Sequence, residues 1–116
     1  MKLEISVTLT RASDWLSTDM VEKDYFDHID SQGRDPFNRM DDFGYLGATS
    51  SGENIAAGFS SAQETFNQWK SSPAHNSNML SSSYRTIGIG RASNEASSYG
   101  WYWTTDFGSK TNTTSP

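Results

Sequence analysis

In the stretch Thr86-Ile87-Gly88-Ile89-Gly90-Arg91, isoleucines alternate with glycines. Alternation of period two marks a strand. Glycine on one face leaves that face bare, so a helix or another backbone can approach it closely. A second period-two run follows, with Tyr99, Trp101, Trp103 and Phe107 on one side, and the segment between the runs, Ser93 to Ser98, has turn composition. The two runs predict an antiparallel hairpin in an α+β protein, with helices packed on a small antiparallel sheet.

The helices announce themselves by their caps. Leu9, Ala12, Leu16 and Met20 recur at spacings of three and four, which predicts a helix from Val7 to Lys23 with Ser6 as N-cap. Alternation at Leu3, Ile5, Val7 and Leu9 offers a competing strand over the same start. Asp35-Pro36 supplies an N-cap and an N1 proline for a short helix with Phe37 and Met40 on its apolar face, ending at the Phe43-Gly44-Tyr45 turn. Overlapping capping boxes at Ser60–Gln63 and Ser61–Glu64 open a helix from Ser61 to Lys70. Ser72-Pro73 opens another through Leu80. Ser51 to Gly58 reads as a turn.

At 116 residues the chain is one domain, which buries about 60–70% of its unfolded surface in a single core. Four Trp, six Phe and five Tyr make that core aromatic-rich. A net charge of -5 with only nine Lys plus Arg leaves no cationic face for nucleic acid or anionic lipid. No apolar run approaches the roughly 20 residues of a membrane span, and no signal segment follows Met1. With no cysteine, disulfides and thiolate chemistry are excluded. The domain is expected over 1–108, and the polar tail 109–116 is expected to be disordered.

Phosphate loops, dinucleotide fingerprints and a nucleophile elbow are all missing. Asp27 to Gly33 resembles a calcium loop, but Ile29 stands at a ligand position, so its acids read as a solvated loop. The two histidines, His28 and His75, lie at helix edges, and neutral imidazoles ligate zinc and related ions. Glu53 is the one carboxylate in an otherwise small and apolar stretch, so it must face a cation, a donor cluster or a pocket. Spacing alone leaves the bland alternative open, with two surface histidines and a glutamate that ties down a loop.

Four segments stand in a characteristic order: Asp24-Tyr25-Phe26-Asp27-His28, Gly52-Glu53-Asn54-Ile55-Ala56-Ala57-Gly58, Trp69-Lys70-Ser71-Ser72-Pro73-Ala74-His75-Asn76-Ser77-Asn78-Met79-Leu80, and Tyr102-Trp103-Thr104-Thr105-Asp106-Phe107-Gly108. Together they resemble the CAP superfamily, or SCP/PR1-like domains, in its cysteine-free bacterial branch. The resemblance implies a three-layer α-β-α sandwich, export from the cell, and a cleft that holds zinc or another divalent ion. Position by position, it makes His28, His75 and Glu53 the metal residues and puts Ser72, Asn54 and Asn78 on the cleft lining. The family's second glutamate falls at Ser72, which removes one negative charge. The family usually has another helix before the equivalent of Leu9, where only Met1 to Thr8 stand here; it is either trimmed from this sequence or lacking, which would leave one wall of the cleft open.

Three functions follow as expectations. The first is an exported, monomeric module whose metal-holding cleft recognises an extracellular lipid, glycan or peptide. The second is a metal-dependent hydrolase with Glu53 as the catalytic general base. The third is metal-free binding of glycan on a platform of Tyr99, Trp101, Tyr102 and Trp103, or of lipid in an apolar groove.

Overall fold

The computed structural model describes residues 3–111. The Ser6 hydroxyl accepts the Leu9 N–H at 3.2 Å and starts α1, Val7–Lys23. The buried face of α1 is the predicted one: Leu9, Ala12, Leu16 and Met20 are all 0% exposed. The competing strand survives as β1, Glu4–Ile5. Its register sets Glu4 opposite Thr86 and Ile5 opposite Ile87, parallel to β3. The sheet is therefore not wholly antiparallel. A parallel pair needs a long crossover between its strands, and α1 with everything after it supplies one.

Helix α2 is Pro36–Asp42, capped by Asp35 through the Asn38 N–H. Helix α3 is Ala62–Lys70, capped by Ser61, and α4 is Pro73–Leu80. The hairpin forms as expected from β3, Thr86–Ser93, and β4, Trp101–Gly108. The segment expected as a turn is instead strand β2, Ser51–Ala57, antiparallel to β4. The strand order is β1-β3-β4-β2, so β2 is an edge.

Alternation divides the core between two faces. Tyr102 and Ile55 pack with Leu16 and Met20 on the α1 side. Trp103 and Ala56 pack with Trp69 and Met79 on the side of α3 and α4. The result is the expected α-β-α arrangement. It also decides the aromatic platform: Tyr102 is 0% and Trp103 5% exposed, so these rings belong to the core, and of the four only Tyr99 is exposed.

The ordered domain continues past residue 108. Ser109 donates its N–H to the Ser50 carbonyl, and the Tyr45 hydroxyl both donates to the Lys110 carbonyl and accepts its N–H. The rest of the tail expected to be disordered, from 112 on, lies outside the described residues.

Candidate functional site

A cleft of about 640 Å³ runs beside β2, lined on one side by Phe26, Asp27 and His28 and on the other by Ser71, Ser72 and His75. Its first wall depends on how α1 ends. Asp24 takes the left-handed conformation, φ 55°, and returns its N–H to Met20. Its carboxylate then accepts the Ser98 N–H at 2.8 Å and the Ser98 hydroxyl at 2.9 Å. These two donors hold its carboxyl below the ordinary range. The same bonds fix the β3–β4 loop, which carries Tyr99, against the turn that delivers His28.

His28 Nδ1 lies 2.8 Å from Glu53 Oε1. The other carboxylate oxygen, Oε2, accepts from Arg39 Nη2 at 2.7 Å. Arg39 is 0% exposed, and its Nη1 reaches the His28 carbonyl and Asp30 Oδ2, both at 3.1 Å. Asp30 also takes the Arg34 guanidinium at 3.0 Å, so this acid is a buried ion-pair partner and not part of a solvated loop. Burial alone would raise the Glu53 pKa. The His28 and Asp106 hydrogen bonds and the Arg39 charge outweigh it and hold Glu53 below its ordinary value, and therefore ionised.

Behind Glu53, directly opposite it in the strand register, stands Asp106. It is 0% exposed, and its Oδ2 accepts the Ser13 hydroxyl at 2.9 Å; its Oδ1 has no other partner among the described residues, so a protonated Asp106 can donate to the Glu53 carboxylate. Burial, reinforced by the Glu53 charge, pushes its pKa well above the ordinary value. Two adjacent buried carboxyls cannot both ionise readily, so Asp106 keeps a proton that Glu53 has lost. A folded-state pKa above the unfolded one stabilises the fold fully below about pH 4 and progressively less as the pH rises. Asp106→Asn keeps a donor for Glu53 and an acceptor for Ser13 without this pH cost. The variant is expected to melt at least about 4 °C above wild type at about pH 7.5, worth about 1 kcal/mol for a domain this size, with the gap closing at about pH 4. Thermal unfolding followed by circular dichroism across that range checks both.

His75 sits on the first turn of α4. Its carbonyl accepts Asn54 Nδ2 at 3.0 Å, and Asn78 Nδ2 in turn donates to Asn54 Oδ1 at 2.9 Å. Asn54 is 0% exposed. It and Asn78 stand behind the cleft wall and brace it, so of the three expected lining residues only Ser72 lines it. The Ser72 hydroxyl makes no cap bond to α4. His75 Nδ1 is buried without a partner among the described residues. Burial, then the neighbouring His28, lowers its pKa, which keeps the imidazole neutral at neutral pH.

The structure thus brings His28, Glu53, His75 and Ser72 to one place. Both Glu53 oxygens are committed to His28 and Arg39, and among the described residues no three His, Cys, Asp or Glu side chains are placed to hold one metal ion. Sequence reasoning missed Arg39, Asp30 and Asp106. The legible signal was Asp106, a lone charge in an aromatic period-two run on the same face as Tyr102 and Thr104.

A family model for the cysteine-rich secretory protein family (CAP) matches residues 1–107, although the described residues include no cysteine. The uncharacterized protein YkwD of Bacillus subtilis is 34% identical over 105 residues, covering 90% of this chain but only 38% of its own length. Three solved structures share the fold. An outer surface protein of Borrelia burgdorferi has a TM-score of 0.83 at 21% identity over 96% of this chain and 80% of its own. An extracellular SCP-domain protein of Bacillus anthracis has a TM-score of 0.80 at 24% identity, over 95% and 34%. A cysteine-rich secretory protein of Staphylococcus aureus has 0.70 at 17%, over 95% and 32%.

Proposed function

This chain belongs to the cysteine-rich secretory protein (CAP) family, and we propose that it is the recognition module of an extracellular protein, with a cleft that holds a divalent ion, zinc, between His28 and His75. The observation that carries this is the 2.8 Å contact between His28 Nδ1 and Glu53. An ionised Glu53 requires the proton on Nδ1, which in the neutral imidazole leaves Nε2 as a lone-pair donor, the way a carboxylate commonly orients a ligating histidine. His75 supplies a second neutral imidazole whose buried Nδ1 lacks a partner. Two nitrogens fit a weakly held ion whose shell is completed by water or a guest. They do not fit a closed structural site.

In this reading Glu53 orients and is not itself a ligand. An ion held here would polarise an oxygen group of the guest. The hydrolase alternative needs Glu53 to reach a water, yet its side chain is 2% exposed and both oxygens are taken. Extracellular placement is supported by the Borrelia and Bacillus anthracis proteins described as outer-surface and extracellular. No described helix is long and apolar enough to cross a membrane.

Calorimetric titration of zinc is the test. Wild type is expected to bind one ion and His75→Ala at least about tenfold more weakly. Affinity is expected to fall on acidification as His75, whose pKa burial holds below its ordinary value, takes up a proton. Superimposable isotherms for wild type and His75→Ala would overturn the metal reading.

A further inference from the structure

Strand β2 is an edge of the sheet, and its open side faces the cleft. Antiparallel pairing turns the N–H and C=O of alternate residues toward the partner strand and the rest outward. The Gly58 N–H bonds to the Trp101 carbonyl at 2.9 Å and the Ser109 N–H to the Ser50 carbonyl at 3.0 Å, so residues 50, 52, 54, 56 and 58 point to β4 and Glu53, Ile55 and Ala57 point away. Two of the outward carbonyls are already used: Trp69 Nε1 donates to Ile55 at 3.0 Å and Asn78 Nδ2 to Glu53 at 3.3 Å. The Ile55 N–H and both backbone groups of Ala57 have no partner among the described residues. Ile55, Ala56 and Ala57 all line the cleft.

We propose that the cleft binds an extended peptide segment, which pairs with the Ile55–Ala57 edge of β2 and seats an apolar side chain against Phe26 and Tyr99. The unpaired groups run donor, donor, acceptor at strand spacing along one line. An extended polypeptide backbone complements that pattern; an acyl chain has no donors or acceptors to offer it, and sugar hydroxyls do not repeat at strand spacing. Adding a strand to an open edge is an established mode of peptide capture, in which main-chain bonds give affinity and side-chain pockets give selectivity. Proteins ordinarily cover or charge such edges. Here Trp69 and Asn78 cover the Ile55 and Glu53 carbonyls and leave the Ile55 N–H and both Ala57 groups open, a span long enough for about three guest residues.

The aromatic wall is already in position. Phe26 and Tyr99 meet edge to face at 6.2 Å, and Tyr99 meets Tyr102 at 6.0 Å. The Tyr99 N–H is held by the Tyr102 hydroxyl at 3.2 Å. Both rim rings remain open to solvent, Phe26 at 44% and Tyr99 at 57%, so a guest side chain covers apolar surface that nothing else covers. This rests on the cleft being the recognition site and does not depend on a metal.

The probes are blocked pentapeptides of sequence Ac-Thr-Val-Xaa-Val-Thr-NH2, with Phe, Leu, Lys or Glu at the centre, added to the whole chain with zinc and with chelator. Amide NMR spectra and hydrogen exchange report the outcome. The Phe-centred peptide is expected to shift the Ile55 and Ala57 amides and slow exchange at Ala57 in both conditions. N-methylation of its alternate residues is expected to weaken binding about tenfold, the effect of losing two net hydrogen bonds. Ala57→Pro removes an outward N–H, a substitution edge strands tolerate, and is expected to lose the peptide while keeping its melting temperature and its zinc isotherm. If no pentapeptide at about 1 mM moves the Ile55 and Ala57 amides, or if the N-methylated peptide binds equally, the proposal fails. Either result leaves the zinc comparison of wild type with His75→Ala unaffected.

Discussion

Replacing Arg39 with methionine is expected to destabilise the protein by about 3–5 kcal/mol at neutral pH, the cost of breaking a buried ion pair from one side. Against total stabilities of about 5–15 kcal/mol for domains of this kind, this is the most damaging single polar change in the site. The guanidinium is 0% exposed and stands between Glu53 and Asp30. Methionine fills much of the volume but leaves both buried carboxylates without their shared cation; His28 remains beside Glu53, and the Arg34 guanidinium with the Gln32 and Arg34 N–H groups remains on Asp30. The pH dependence separates charge from packing. Both acids have depressed pKa values in the wild type, so their stabilising contribution is present above the ordinary carboxylate range and lost as the pH falls through the depressed values. Without Arg39 the acids accept protons more easily, and the deficit should shrink between about pH 7 and about pH 4. Urea unfolding at both pH values measures it. A neutral-pH loss under about 1 kcal/mol, or one that does not narrow on acidification, would show that Arg39 is not the counter-ion of this cluster.

The reach of sequence reasoning follows from which interactions are local. Ser6, Asp35 and Ser61 cap helices through N–H groups three residues on, so three of the four helix starts were legible as short patterns. Ser72 opens α4 by position alone, through its proline neighbour. The hairpin was legible because Ile87, Ile89, Trp101 and Trp103 keep strict alternation. Strand β2 was not, because Gly52, Glu53 and Asn54 carry no alternating apolar signal. Those residues are extended because β4 pairs with them, and they tolerate burial because Arg39, His28 and Asn78 satisfy them, partners that no local pattern reveals. The same holds for the site. The motifs identified His28, Glu53, His75 and Ser72, whereas Asp106, the buried acid opposite Glu53, lies more than fifty positions away on another strand.

Gly88→Ala and Gly90→Ala are each expected to cost about 3 kcal/mol, the upper end for an overpacked core. A Cβ at Gly88 would lie 2.2 Å from the Leu9 carbonyl carbon, and one at Gly90 2.3 Å from the Asp14 nitrogen. Both obstacles are helix backbone, so no side chain can rotate away and α1 itself must lift off the sheet. That movement would stretch the bonds from the Ser13 hydroxyl to the Gly88 carbonyl, 3.1 Å, and from the Ser17 hydroxyl to the Gly90 carbonyl, 3.2 Å. It would also draw Leu16 and Met20 away from Tyr102. One displacement of α1 makes room for both methyl groups. The double variant is therefore expected to lose clearly less than the sum of the singles, a coupling of about 1 kcal/mol or more between sites that share one obstacle. Strict additivity in denaturant unfolding would mean that each alanine is accommodated locally, and that close approach of α1 is not what the two glycines provide.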